Sequence, residues 1–294
     1  MASPSSMRQL SPCLTSQPGL RLLGTGRIFA LITGVNSYQY PYALHGAVND
    51  AEAIADYLRK NFVDCKCKML LDDQATRAAI EANFCDFLIN NDDIGQGDPI
   101  IFYFAGHGSE ICEDCDDIKQ AICPHDFDIM NEGPTSIKLD QIREWLQFVA
   151  AKRGNNIVVI LDCCYNAPAS AMNYLRDQAV VRVRCIPSRT DVSPETQERH
   201  LKQDRHPTSM RGGVPYFPWI DAYVLMHACR RSEPAIEEPS PRCPGTPARG
   251  AFTSALIEHL IDIDQREEQT TYKLLVCGLS GLPQGQHPFC VGLH

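Results

Sequence analysis

The sequence predicts an α/β fold, a mostly parallel sheet with helices on both faces. Two runs carry much of this expectation. Ile157 to Leu161 (IVVIL) and Ile100 to Phe104 (IIFYF) are uninterrupted apolar stretches, the pattern of strands covered on both sides. The segments between such runs repeat apolar residues at helical spacing: Ala51, Ile54, Ala55 and Leu58, then Leu139, Ile142, Leu146 and Val149. Strand and helix in alternation build parallel sheets. With 294 residues, 44% of them hydrophobic, the chain can bury a sizeable core in one or two domains.

Met1 to Gly26 is rich in Ser, Pro and Gly and reads as a loose tail, a reading preferred over a mitochondrial transit peptide. Arg27 to Val35 is the first strand. Ala47 to Lys60 follows as a helix, with Asn49 as a candidate cap and Glu52 three residues on. Lys66 to Leu71 is a second strand and Ala75 to Asn90 a second helix. The Ile100 strand comes next. Leu139 to Ala150 is the third helix and leads through Gly154 into the Ile157 strand. Ala171 to Pro218 is polar, carries many arginines, and reads as an exposed linker. Asp221 to Ala228 is a fifth strand, and the proline-rich stretch Ser232 to Gly250 a long loop. Phe252 to Ile263 is a helix with Phe252, Leu256, Leu260 and Ile263 on one face. Thr270 to Leu279 is another helix, and His287 to Leu293 begins a last strand. The boundaries so read are a tail (1–26), a first part (27–170), a linker (171–218) and a second part of the same domain (219–294).

A net charge of −9 argues against nucleic-acid binding and suits basic substrates. No apolar run approaches the length of a membrane span. Fourteen cysteines without a secretory signal favour free thiols in a reducing, cytoplasmic setting. Cys112, Cys115, Cys123 and His125 are soft ligands that could hold zinc, but at imperfect spacing. Oligomeric state is not legible.

The chemistry concentrates at two strand tips. The Ile157 strand ends in Asp162-Cys163-Cys164, and the Ile100 strand in Ala105-Gly106-His107-Gly108-Ser109. Open α/β sheets place their ligand crevice at such ends. Alternation along a strand points Asp162 and Cys164 the same way and Cys163 the other. A catalytic thiol needs a nearby base. Two neighbouring parallel strands ending in His107 and Cys164 would supply the pair.

These motifs, FAGHGS (Phe104–Ser109), ICPHD (Ile122–Asp126) and NNIVVILDCC (Asn155–Cys164), resemble the caspase-like domain of metacaspases, especially fungal caspase-domain proteins. The resemblance runs from about residue 27 to 292. It includes ALHGAVNDA (Ala43–Ala51), YVLMHACRRSE (Tyr223–Glu233) and GAFTSAL (Gly250–Leu256). It implies a caspase-like fold with a six-stranded sheet and a cysteine endopeptidase. Cys164 would be the nucleophile and His107 the acid–base group. The N–H groups of Gly108 and Cys164 would stabilise the oxyanion.

Metacaspases accept Arg or Lys at P1 through carboxylates. The resemblance places Asp50 and Asp162 in that pocket. Asp50 has a plainer alternative as a helix-start residue favoured by the dipole. Family members often cut themselves in the linker, here after Arg182, Arg184 or Arg189. The resemblance implies no required cofactor and leaves calcium possible, although Leu139-Asp140 stands where calcium-dependent members often have paired Asp. The acidic loop Glu110, Glu113, Asp114, Asp116 and Asp117 is interrupted by Lys119 and Gln120. Tyr165-Asn166-Ala167 replaces the usual His-Ser-Gly, and Ala105 a frequent Ser. These departures motivate an alternative, a catalytically silent homologue acting as a binding or scaffold module.

Overall fold

The computed structural model describes residues 26–114, 117–166, 181–187, 210–211, 214–215, 222–238, 247–266 and 270–292. Residues 1–25 of the tail expected at 1–26 and most of the linker fall outside these residues.

Strand β1 (Arg27–Gly34) is followed by helix α1 (Ala47–Asn61) and strand β2 (Asp64–Leu71). Helix α2 (Arg77–Asn83) runs on into a wide helical turn, Phe84–Ile89. Then come β3 (Ile100–Ala105), the hairpin β4 (Gly108–Asp114) and β5 (Asp117–Ile122), α3 (Leu139–Arg153) and β6 (Ile157–Asp162). The second part supplies β7 (Arg182–Val183), β8 (Val224–His227), β9 (Ile236–Glu238), β10 (Arg249–Gly250), α4 (Ala251–Arg266), α5 (Tyr272–Cys277) and β11 (Phe289–Gly292).

Six strands form the central sheet in the order β11-β8-β6-β3-β1-β2. All neighbours are parallel except β11, which pairs antiparallel with β8 at the edge. Adjacent residues of β3 show that both faces are covered. Phe102 meets the Phe84 ring, at 4.7 Å between centroids, while the Tyr103 hydroxyl bonds Thr253 of α4 at 2.7 Å. Successive side chains of a strand point to opposite faces, so α2 and α4 lie on opposite sides. The apolar stripes read from α1, α3 and α4 are the faces these helices bury.

Three expectations need correction. The cap of α1 is not Asn49, whose side chain instead donates to Ala248 O at 2.9 Å. Asn36 caps the helix from outside, accepting the N–H groups of Ala47 at 2.9 Å and Val48 at 3.3 Å. The loop expected over Ser232 to Gly250 contains β9, flanked by β7 and β10 in a small antiparallel sheet. The linker read as exposed from Ala171 to Pro218 is buried at Arg184, Cys185 and Ile186. In both segments a long-range partner orders residues that local composition left irregular.

Register positions the site. Ala105 of β3 pairs with Asp162 of β6. His107 and Cys164 each lie two residues beyond that pair, at the carboxyl edge of the sheet. This is where the crevice of such sheets opens.

Candidate active site

His107 leaves β3 through Gly106 and is 2% exposed. Its Nε2 lies 2.7 Å from the carbonyl oxygen of Tyr42. A carbonyl can only accept, so Nε2 carries the proton and Nδ1 holds the lone pair. Nδ1 is buried and makes no hydrogen bond. Burial pushes His107 down to about 4, with the Tyr42 carbonyl opposing the fall. The ring is therefore neutral at pH 7, with a basic nitrogen facing inward.

Cys163 and Cys164 are both fully buried. Burial holds the Cys164 thiol well above its ordinary range, opposed by a hydrogen bond with Cys185 and reinforced by one with Cys229. Burial likewise raises Cys163, which Tyr165 engages. The Arg184 charge acts on the Cys163 thiol, while Cys164 gives its backbone N–H to the Arg184 carbonyl, described next. Tyr165 packs beneath the site, its hydroxyl 3.3 Å from His227 Nδ1, and Asn166 donates to Glu110 at 2.9 Å.

The site is occupied by the chain itself. The carbonyl oxygen of Arg184 accepts two hydrogen bonds, each at 3.1 Å, from the N–H groups of Gly108 and Cys164. The Arg184 N–H donates to Ala235 O at 2.9 Å, and that same oxygen is approached by the Cys164 thiol at 4.0 Å. Val183 and Arg182 pair antiparallel with Ile236 and Glu237. Beyond the carbonyl, Ile186 N–H donates to Gly108 O at 2.9 Å. Gly108 is confined by its neighbours: a Cβ there would lie 2.6 Å from the Cys164 carbonyl oxygen and 2.9 Å from the Tyr165 ring.

The Arg184 side chain enters a closed acidic pocket. Its guanidinium pairs with Asp50, with Asp162 at 2.9 Å and with Glu237 at 3.3 Å, all four side chains being no more than 1% exposed. Asp50 and Asp162 are thus both brought to one cation. Asp50 stands in the first turn of α1, as the helix-start alternative has it, and its side chain accepts from Arg184 and from Gly250 N–H at 2.8 Å. Thr253 donates to Asp162 at 2.6 Å. Gly250 is required by close approach, since a Cβ there would lie 2.5 Å from Asp162 and 2.6 Å from Arg184.

Sequence reasoning missed Glu237. Its carboxylate also accepts the N–H groups of His45 at 2.7 Å and Gly46 at 3.0 Å, tying β9 to the start of α1. Burial disfavours the charge on Arg184, but Asp162, Asp50 and Glu237 outweigh it and hold the guanidinium firmly protonated. Three carboxylates share one cation, and Asp50 Oδ1 and Asp162 Oδ1 make no hydrogen bond. Burial accordingly pushes Asp50 up to about 7, Arg184 pulling it back and Asp162 adding to the rise.

Among the described residues no cluster of His, Cys, Asp and Glu is arranged to hold a metal ion. Cys115 of the zinc reading lies outside them, as do the side chains at 113–117 of the acidic loop. Of the loop's remaining acids, Glu110 pairs with Arg231 at 2.8 Å. Asp140 pairs with Lys119 at 3.3 Å and Arg143 at 2.6 Å. No helix among the described residues is long and apolar enough to cross a membrane.

Comparison with known proteins gives this geometry a context. The family described as the caspase domain matches residues 27–276. Metacaspase-1A of Aspergillus terreus is 25% identical over 162 residues, 51% of this chain and 38% of that protein. Metacaspase-5 of Trypanosoma cruzi is 27% identical over 154 residues, 48% of this chain and 33% of its own length. The matches thus span between a third and two fifths of these curated relatives. A crystal structure of a Geobacter sulfurreducens protein superposes with a TM-score of 0.59 at 18% identity, covering 92% of this chain and 95% of that one. At that identity the likeness speaks for the fold.

Proposed function

Because this chain belongs to the caspase-domain family, we propose that it is a cysteine endopeptidase that cuts after arginine or lysine. We further propose that its own Arg184–Cys185 bond is a substrate. One observation carries the reading: Arg184 sits with its guanidinium among Asp50, Asp162 and Glu237 while its carbonyl oxygen lies 3.1 Å from two N–H donors. A buried cation with three acidic partners and a carbonyl between paired donors is how a scissile residue would be held.

The chemistry follows from the chain's own groups. His107 Nδ1 takes the Cys164 proton as Sγ adds to the Arg184 carbonyl carbon. The negative oxygen that forms remains between the N–H groups of Gly108 and Cys164. Such donors are worth about 2.7–4 kcal/mol each when they act only on the developing charge. The bond to Cys185 nitrogen then breaks. His107 returns the proton to the departing amine and leaves a thioester on Cys164. Water attacks the thioester with His107 as base, giving the Arg184 carboxylate and a free thiol.

The raised thiol and the lowered imidazole belong to the self-occupied state, where both are neutral. Departure of the Arg182–Ile186 segment would let water in and relax both shifts. Specificity for a basic P1 side chain has the same source, since an acidic side chain would add a fourth negative charge to a closed pocket. Arg would bond the carboxylates bidentately, and Lys would serve as a point charge.

The test is a matched set of fluorogenic peptides differing only at P1. Arg and Lys substrates should be turned over and the Asp substrate left uncut, with all activity lost in Cys164→Ala. Cleavage after Asp would overturn the specificity. Absence of turnover with every substrate, together with an intact chain, would favour the binding-module alternative.

A further inference from the structure

We propose that the acyl-enzyme formed at this site is also a ligation intermediate, with peptides bearing an N-terminal cysteine as its preferred acceptor. The inference rests on Arg184 being the residue on the acyl side of the cut. The residue across that bond is Cys185, 3% exposed, whose thiol is near enough to that of Cys164 to oppose its upward shift. Its backbone is also held on the far side of the bond to be cut, because Ile186 N–H donates to Gly108 O at 2.9 Å. The leaving strand therefore does not fall away when the Arg184–Cys185 bond breaks. What it presents to the thioester is an amine and a thiol on adjacent carbons.

That pairing has a specific consequence. The Cys185 sulfur adds to the Arg184 carbonyl carbon, passing its proton to His107. The bond from that carbon to Cys164 Sγ breaks, and Cys164 recovers the proton. The acyl group is now a thioester on Cys185. Its α-amine attacks the same carbon through a five-membered ring, the carbon–sulfur bond breaks, and an amide and the Cys185 thiol are restored. One thioester is exchanged for another and then for an amide, so no oxidant or reductant is consumed. Water competes for the thioester, but Cys164, His107 and Ile186 are at most 2% exposed while the segment stays seated. A nucleophile already in contact outcompetes a solvent that must first enter. Hydrolysis wins once the strand from Cys185 onward departs, and the vacated position can then take a second peptide.

The test supplies such a peptide to the full-length protein. Wild-type chain is incubated with excess fluorescein-labelled Cys-Ile-Pro-Ser peptide, and separately with the Ser-Ile-Pro-Ser and N-acetyl-Cys-Ile-Pro-Ser versions. Products are treated with hydroxylamine, which removes thioesters but spares amides, and the fragment ending at Arg184 is weighed by mass spectrometry. The expected result is that fragment joined to the Cys peptide through an amide, about tenfold or more above the Ser peptide. The acetylated peptide should give no hydroxylamine-stable product, and Cys164→Ala should give none with any peptide. Two outcomes overturn ligation alone and leave the peptidase reading standing. One is a fragment ending solely in a free Arg184 carboxylate. The other is equal labelling by the Ser and Cys peptides. An uncut, unlabelled wild-type chain that also fails on P1-Arg peptides overturns both.

Discussion

Replacing Arg184 with alanine in a Cys164→Ala background isolates the self-occupied pocket from any cleavage. In the parent, one guanidinium faces Asp50, Asp162 and Glu237, all at most 1% exposed. Removing one partner from a buried ion-pair network costs about 3–5 kcal/mol, because the remaining charges stay buried and unpaired. At about 2–4 °C per kcal/mol for a chain of this size class, the melting temperature should fall by roughly 10 °C. The loss should also depend on pH. Burial lifts the Asp50 carboxyl from 3.8 to about 7. A carboxyl raised on folding makes the folded state bind more protons than the unfolded state between those values. Stability from this group is therefore full at low pH and lost as pH rises towards and through 7. Without the guanidinium this repulsion is unopposed, so the gap between variant and parent should widen from pH 5 to pH 8. Arg184→Lys should recover much of the loss by returning a cation. Thermal denaturation of the three proteins across that range measures this directly. A gap that is small and flat with pH would refute the reasoning, and so would an Arg184→Lys protein no better than Arg184→Ala.

Three further outcomes are expected. Cys164→Ala should abolish hydrolysis of P1-Arg peptides while Cys163→Ala retains most of it; equal loss in both would undo the assignment of the nucleophile. Asp162→Asn and Glu237→Gln should each lower kcat/KM for P1-Arg peptides by about ten- to a hundredfold, since a charged hydrogen bond contributes about 1.5–3 kcal/mol. Full activity in either variant would remove that residue from the pocket. Activity should be indifferent to calcium and to chelator, given that Asp140 and Glu110 already pair with cations; activity lost in chelator and restored by calcium would contradict this.

The strand tips were legible because burial and chemistry coincide there. An apolar run that stops at Asp162 or at Gly106 announces both a core strand and its polar end, and the Ala105–Asp162 register follows from parallel pairing. Asp50 was legible as a pocket residue only through family resemblance, since a helix start explains an acid equally well. Glu237 and the seated Arg184 were not legible. β9 is three residues long within a proline-rich stretch, and β7 is two residues long within a basic one. Neither has enough local pattern to register as a strand, because each is ordered by the other and by carboxylates far away in sequence. Arg184 was one of several exposed-looking arginines, and its burial depends on partners 134, 22 and 53 residues distant. The cap on α1 was missed for the same reason, as Asn36 lies 11 residues before the N–H group it satisfies.

The most direct measurement is the N-terminal sequence of whatever fragment the purified chain releases on incubation, with the Cys164→Ala protein treated in parallel. If Arg184 is the seated scissile residue, the new terminus reads Cys-Ile-Pro-Ser, beginning at Cys185, and the Cys164→Ala protein remains a single chain. A terminus elsewhere, or the same cut in the Cys164→Ala protein, would contradict the reading of Arg184 as this site's own substrate.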